Sequence, residues 1–305
     1  MNFTAKDVQM LRERTGVGMM DCKKALAASD GDTEKAIQFL REKGIAAAAK
    51  KSGRIAAEGT VSAFCGEDVG AMVEVNSETD FVAKNPTFQE FALNVATVVA
   101  KENPADVEQL LTCRYNDTMT VQQALQDRIL VIGENLTIRR FIRFEGKCVS
   151  YIHGAGRIGV LVKLAAEGAD EEAVRRCGKE VAMQVAALNA AYLDKSVVPA
   201  SALEEEKEVL MAQIKNDPKM ASKPDAIIAK MVEGRIGKYY ENNCLLQQAF
   251  AREPEITVGA FVERTSKEAG GRITILDYAR FERGEGLQKR EDNLAEEIAK
   301  MTQKK

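Results

Sequence analysis

An internal repeat in the middle of the chain restricts its fold more than any other feature. Residues 90–96 (EFALNVA) are paralleled by residues 180–186 (EVAMQVA). A short strand-like run that opens with glycine precedes each copy, at residues 70–75 and 159–164, although the distance from run to helix shifts by one residue. Two strand-then-helix units of similar build predict an α+β fold with a duplicated core.

Three short helices are predicted before this core. Thr4 and Asp7 have the spacing of a capping box at the start of the first helix. Gly44 is expected to end the third helix. The basic, alanine-rich run 46–54 is typical of a helical linker, whose charges either contact phosphate or, more commonly, form a solvated face. A helical module with its linker is therefore predicted over residues 1–54.

Long helices replace this pattern after the second repeat. Two of them, joined by a short polar turn, predict an antiparallel hairpin inserted at about residues 203–251. A strand returns at residues 272–281, and residues 293–301 form a short amphipathic helix whose apolar stripe could dock on this core or on a partner. The predicted units after the first module are residues 55–145, residues 146–282 with the hairpin, and a C-terminal helical unit, 283–305.

Composition restricts the partners of the chain. Its 305 residues carry a formal net charge of −3 and a pI of about 5.6, which argues against nucleic acid as the direct partner. The start lacks the apolar region of a signal peptide, and no apolar run reaches the roughly 18 residues of a membrane span. The six cysteines include no C-x-x-C pair. We therefore expect a cytoplasmic location, free thiols, no membrane contact and no structural zinc.

Catalytic motifs are weak in this chain. Residues 154–159 match G-x-G-x-x-G, but a strand follows the motif instead of preceding it, which predicts a hairpin turn and no nucleotide site. His153 is the only histidine, so any histidine-dependent catalysis or metal binding would have to use it. A lone histidine at a strand end is usually a hydrogen-bonded surface residue, and otherwise a partner contact. An enzyme is the least supported function.

The loop after the first repeated strand carries a phenylalanine between charges. Phe81 lies between Asp80 and Lys84 in the run 79–86 (TDFVAKNP). It could stay exposed and anchor a partner, since one buried Phe contributes about 1.5–3 kcal/mol and interface energy concentrates in such residues. Alternatively, Thr79 caps a short helix and Phe81 turns into the protein's own core. The local pattern leaves both interpretations open.

Several segments together resemble the bacterial elongation factor Ts family. Residues 11–26 (LRERTGVGMMDCKKAL) resemble its N-terminal signature and residues 79–85 (TDFVAKN) its second signature. Residues 153–162 (HGAGRIGVLV) are similar to a third, and residues 132–140 (IGENLTIRR) also fit. The likeness follows the family order and covers nearly the whole chain.

This resemblance implies a guanine-nucleotide exchange factor for GDP-bound elongation factor Tu, the GTPase that delivers aminoacyl-tRNA. It implies no catalytic chemistry of the chain's own, and no cofactor. It also implies an N-terminal module resembling ubiquitin-associated domains, a two-part core, an inserted coiled-coil hairpin and a C-terminal helix. These units coincide with the segments predicted above.

The resemblance also implies which residues meet the GTPase. In the family, the pair matching Asp80 and Phe81 inserts near the magnesium and phosphate site of the GTPase, with Thr79 and Val82 on either side. The N-terminal module and the final helix touch its nucleotide domain. The further contacts implied for the core and the N-terminal module are Ile132, His153, Val17, Met19, Met20 and Lys23.

Two other function classes make distinct predictions. An adaptor whose first three helices bind a ubiquitin-like or peptide partner would retain its main affinity in residues 1–54 alone. An enzyme would lose turnover on His153→Ala with no GTPase present. Exchange activity is expected instead to depend on Phe81.

Overall fold

The computed structural model describes residues 2–217 and 223–288 as a mixed α and β chain. Three predictions extend beyond these residues. The amphipathic helix at 293–301 lies outside the described residues, as do the end of the unit 283–305 and the centre of the turn in the helical hairpin. Within the described part, no helix is long and apolar enough to cross a membrane.

The three predicted N-terminal helices are confirmed. They pack around a small core that includes Leu11, Cys22 and Leu26, all fully buried. Thr4 and Asp7 form the predicted capping box. The helices are α1 (Ala5–Thr15), α2 (Met19–Ala28) and α3 (Thr33–Lys51).

The first half of the core is an antiparallel sheet in the order β1-β2-β3, with helices packed on one face. Phe88 and Phe91 are fully buried in the cluster that also contains Val73 of the central strand. The strands are β1 (Glu58–Cys65), β2 (Val69–Ser77) and β3 (Thr137–Glu145). The helices are α4 (Asp80–Ala83), α5 (Pro86–Glu102), α6 (Val107–Thr112) and α7 (Val121–Ile132).

The second half repeats this arrangement with a sheet in the order β4-β5-β8. Val162 of its central strand packs in one cluster with Val181 and Val262 from two helices. The paired strands β4 and β5 confirm the predicted hairpin turn, which spans residues 154–157, while Ile158 and Gly159 already belong to the second strand. The strands are β4 (Cys148–His153), β5 (Ile158–Glu167), β6 (Ala249–Phe250), β7 (Glu253–Thr257) and β8 (Arg272–Glu282). The helices are α8 (Glu171–Leu188), α9 (Ala200–Asn216), α10 (Asp225–Asn243) and α11 (Val258–Glu268).

The two sheets face each other through the glycines that open the repeated strands. A Cβ atom on Gly159 would lie 2.3 Å from Cγ1 of Val61, and one on Gly70 would lie 2.5 Å from Cβ of Cys148. Each glycine thus makes room for a side chain of the opposite sheet. The repeat therefore produces four layers, in which the two sheets lie between two layers of helices.

The helical pair α9 and α10 forms its own cluster apart from this core. Leu210 and Ile214 of α9 are buried against Ile228, Val232 and Ile236 of α10. The pair follows α8 and precedes β6, where the sequence predicts the inserted hairpin. Its description as a coiled coil stays a prediction.

One helix end was predicted wrongly. The third helix does not end at Gly44 but continues to Lys51 and includes much of the predicted linker. Gly44 is buried, and a Cβ atom there would lie 3.4 Å from the carbonyl oxygen of Gln126 in α7. Gly44 therefore lies in the contact between α3 and α7, and packing of the two helices outweighs the low helix propensity of glycine.

A buried carboxylate joins the first sheet to the chain that follows β8. Glu74 of β2 is 0% exposed and accepts hydrogen bonds from Nε of Arg140 at 2.6 Å and from Nη1 of Arg139 at 3.1 Å. The backbone N–H of Gly284 donates to the same carboxylate at 2.7 Å, and Nδ2 of Asn76 at 3.1 Å. This network fixes the end of β2, from which the Phe81 loop departs.

Candidate functional site

The ring of Phe81 is exposed to solvent at the centre of the candidate site. Its residue is 81% exposed, whereas the following Val82 and Ala83 are buried. The helix α4 is a single turn, and its buried residues are Val82 and Ala83. That side of the turn faces the core, and Phe81 lies on the opposite side. The interpretation in which Phe81 turns into its own core is wrong.

Thr79 does not use its side chain to cap α4. It occupies the N-cap position, but its hydroxyl donates to Oε1 of Glu134 at 2.6 Å. The other oxygen of Glu134, Oε2, accepts from the N–H groups of Glu78 at 3.1 Å and Thr79 at 3.0 Å. The connection between α7 and β3 therefore holds the loop that carries Phe81.

The same connection also receives a carboxylate from the loop. Oε1 of Glu78 accepts from the backbone N–H of Asn135 at 2.6 Å and from Nη1 of Arg54 at 3.3 Å. Nδ2 of Asn135 donates to the carbonyl of Arg54 at 2.8 Å. Arg54 of the basic linker is thus paired within the chain, and the end of the first three helices is bound at the base of the Phe81 loop.

Asp80 places a negative charge beside the exposed ring. Nζ of Lys84 donates to Oδ2 of Asp80 at 2.6 Å. This hydrogen bond, together with the positive charges of Lys84 and Arg283, holds the pKa of Asp80 below its usual value. The carboxylate is therefore ionised at neutral pH, and about half of its side-chain surface stays open to solvent.

The implied core contacts lie at element ends. Ile132 ends α7, two residues before Glu134, and is partly buried. His153 ends β4, is exposed, and has Nδ1 3.0 Å from the hydroxyl of Tyr151. The turn that follows it is joined to the chain after β8, because the N–H of Arg283 donates to the carbonyl of Arg157 at 2.9 Å.

The implied contacts of the N-terminal module differ in exposure. Met19 and Met20 of α2 are 51% and 63% exposed, and Lys23 is also exposed. Val17, in contrast, is 4% exposed and belongs to the small core of the first three helices. Its side chain, like that of the buried Val82, supports the surface from below and is not offered to a partner in this conformation.

Sequence reasoning missed the part of the site that holds the loop. Glu134 lies in the run 132–140 that carried part of the resemblance, but its partner Thr79 is 55 residues away in the chain. No local pattern shows such a pairing.

Among the residues that the structure describes, no group of three or more His, Cys, Asp or Glu side chains could hold a metal ion.

Comparison with known proteins identifies the family. A sequence model described as "Elongation factor TS" matches residues 78–285, which include the Phe81 loop, β3 of the first sheet and the whole second sheet. The chain is 50% identical over 304 residues to elongation factor Ts of Clostridium perfringens strain 13, with 98% of this chain and 99% of the relative covered. The chain belongs to the elongation factor Ts family.

Other members of the elongation factor Ts family match to a similar extent. The protein of Clostridium botulinum strain Eklund 17B is 48% identical over 303 residues, which cover 98% of each chain. The protein of Clostridium novyi strain NT is 48% identical over 309 residues, covering 99% of each. The resemblance inferred from the short runs is thereby confirmed, and it places the chain among the translation elongation factors of protein biosynthesis.

Proposed function

We propose that this protein is a guanine-nucleotide exchange factor that promotes GDP release from elongation factor Tu. The exposed ring of Phe81, 81% open to solvent on a loop bound at its base, carries the proposal. A large aromatic side chain that is kept out of its own core is the kind of residue that anchors an interface. The names of the relatives and the family match support the same role.

The Asp80–Phe81 pair acts near the magnesium and phosphate site of the GTPase. The ring enters that site as a wedge and displaces the partner's magnesium ion. Loss of the ion removes charge neutralisation from the GDP diphosphate, so the nucleotide is released. The ionised carboxylate of Asp80 adds a negative charge next to the ring and disfavours the diphosphate further.

The energies require more than this wedge. Nucleotide held at nanomolar affinity is bound by about 12 kcal/mol. Accelerating its release about 1,000-fold requires about 4 kcal/mol, whereas one Phe contributes only about 1.5–3 kcal/mol. The remaining energy comes from contacts elsewhere on the chain. We assign these contacts to Met19, Met20, Lys23, Ile132 and His153, while the buried Val17 and Val82 hold neighbouring residues in place.

Exchange follows from reciprocal coupling and involves no covalent step by this chain. Because this protein weakens the binding of nucleotide to the GTPase, nucleotide must weaken the binding of this protein to the GTPase by the same ratio. The partner is a protein, and the acidic chain acts in the cytoplasm, where translation takes place, and not on nucleic acid or a membrane.

The proposal also includes the domain organisation of the chain. It divides the chain into residues 1–54, 55–145, 146–282 and 283–305, with a ubiquitin-associated-like module in the first unit and a coiled-coil hairpin inserted in the third.

Release of a fluorescent GDP analogue from bacterial elongation factor Tu tests the proposal. Phe81→Ala should slow release at saturating factor by about 10- to 150-fold, the equivalent of about 1.5–3 kcal/mol. Much of the binding should persist. Leu93→Ala is the matched control, because Leu93 is an exposed apolar residue on α5, 44% open to solvent. An unchanged release rate with Phe81→Ala would rule out the wedge.

A further inference from the structure

The loop that carries Phe81 has little secondary structure of its own. Its helix α4 has four residues, and the backbone bonds that close it are long, at 3.4 Å from Ala83 to Thr79 and 3.3 Å from Lys84 to Asp80. A single helical turn does not persist alone, since helix nucleation is unfavourable. Contacts from elsewhere in the chain must therefore hold the ring in place.

Two carboxylates supply those contacts in a reciprocal arrangement, which we call the clasp. Glu134 accepts the N–H groups of Glu78 and Thr79 and the hydroxyl of Thr79. Glu78 in return accepts the N–H of Asn135. The clasp consists of Glu78, Thr79, Glu134 and Asn135. Its hydrogen bonds are charge-assisted and partly buried, which makes them stronger than neutral ones.

We propose that Glu134 is a positioning residue for nucleotide exchange. It acts through Thr79 and keeps Phe81 in the orientation that enters the partner. This inference rests on the proposed function, because it assigns a residue to the wedge step. Glu134 itself is engaged within the chain by both oxygens. Its effect therefore passes through the loop and needs no contact with the GTPase.

Preorganisation separates rate from affinity. When the loop is released, the ring must be ordered during the exchange step, while the contacts elsewhere on the factor still bind the GTPase. Misplacing a group by about 1 Å can cost on the order of 100-fold in rate. We therefore expect Glu134→Ala to lower the release rate at saturating factor by about 10- to 100-fold. The concentration of factor that gives half of the maximal rate should change much less.

The conservative variant distinguishes positioning from charge. In Glu134→Gln, the amide oxygen can accept the two N–H groups and the amide nitrogen can donate to the hydroxyl of Thr79. This variant should therefore keep most of the exchange rate. A requirement for negative charge at residue 134 would instead make Gln as damaging as Ala, and that result would overturn the positioning role.

Mobility of residue 81 can be measured without the GTPase. The chain contains no Trp, so Phe81→Trp introduces a single reporter. In this background Glu134→Ala should lower the steady-state fluorescence anisotropy, and Glu134→Gln should not. Thr79→Val, which removes one of the three hydrogen bonds to Glu134, should give a smaller decrease. Unchanged anisotropy in Glu134→Ala, with the circular dichroism of the parent protein, would overturn the inference.

Exchange measurements then separate the two proposals. Glu171→Ala is the control, because Glu171 is an exposed carboxylate paired with Lys147 on the second half of the core. If Phe81→Ala slows release and Glu134→Ala does not, Glu134 has no positioning role. If Phe81→Ala has no effect, the wedge itself is wrong, and the anisotropy still decides whether Glu134 holds the loop. With the double variant Phe81→Ala, Glu134→Ala, the GTPase should release GDP no more slowly than with Phe81→Ala alone.

Discussion

Replacement of Glu74 by Gln tests whether the buried network is essential to the fold. The carboxylate of Glu74 is completely buried between Arg139, Arg140 and the N–H of Gly284. Gln keeps the shape and one acceptor oxygen but removes the charge. The two arginines then lose the negative charge that they share, and the chain after β8 loses a charge-assisted bond to the first sheet.

The cost follows from the burial of the partners. Removing one member of a buried ion pair costs about 3–5 kcal/mol. The side chains of Arg139 and Arg140 are 25% and 31% exposed to solvent, so water can partly replace the lost carboxylate. We therefore expect the lower limit, about 3 kcal/mol. In a chain of this size about 1 kcal/mol corresponds to about 2 °C, so the melting temperature should fall by about 6 °C.

The pH dependence gives a second readout. Burial acts to raise the pKa of Glu74, but the hydrogen bonds from Gly284, Asn76 and Arg140 outweigh it and the pKa is lowered. A carboxyl group whose pKa is lowered in the folded state contributes its full stabilisation of the fold at pH values above its unfolded-state pKa of about 4.3. That stabilisation is lost as the pH falls through the folded value. The difference in melting temperature between the parent and Glu74→Gln should be fully present at pH 7. It should disappear only when the pH falls through the lowered pKa of Glu74.

Thermal unfolding followed by circular dichroism measures both effects. Glu145→Gln is the matched control, since Glu145 pairs with Arg143 on β3 but its side chain is 74% exposed. Such a surface pair is worth at most about 1 kcal/mol, and we expect a shift of no more than about 2 °C. A melting temperature of Glu74→Gln equal to that of the control at pH 7 would refute the reasoning.

Two further predictions concern packing. Gly159→Ala should destabilise the fold by about 1–3 kcal/mol, because its Cβ atom would overlap Val61 of the opposite sheet. Gly234→Ala, at an exposed position of α10 with no neighbour in the way, should stabilise the fold by about 0.5–1 kcal/mol. Urea unfolding measures both, and an equal response would contradict the close approach of the sheets. Burial raises the pKa of both the Cys65 and the Cys177 thiol, to about 12 for Cys177, but Cys65 is an exposed residue and Cys177 is fully buried. Iodoacetamide at pH 8 should therefore label Cys65 well before Cys177. Mass spectrometry of the native protein checks this, and equal labelling would show that Cys177 is not enclosed.

Local patterns predicted much of the architecture. The capping box at Thr4 and Asp7 located the first helix, and a capping box needs only residues within one helical turn. The glycine-opened repeats located both central strands, at residues 70–75 and 159–164. Such patterns succeed because caps and hydrophobic periodicity depend on neighbours in the chain.

Predictions failed where distant residues decide the environment. Gly44 has the local character of a helix end, yet the approach of α7 makes it a contact point inside α3. Thr79 has the character of a capping residue, yet Glu134 takes its hydroxyl. In both cases the competing partner is far away in sequence, and the local pattern therefore carries no sign of it.

The sequence by itself determined the family, the three N-terminal helices and the repeated strand-and-helix units, because these depend on short runs of residues. Only the tertiary structure decided that Phe81 faces solvent, that Val17 is buried, and that Glu134 holds the loop. The physical reason is that exposure and hydrogen-bond partners depend on which surfaces the folded chain brings together. For Phe81, the neighbours Val82 and Ala83 occupy the core side, and the clasp holds the base of the loop.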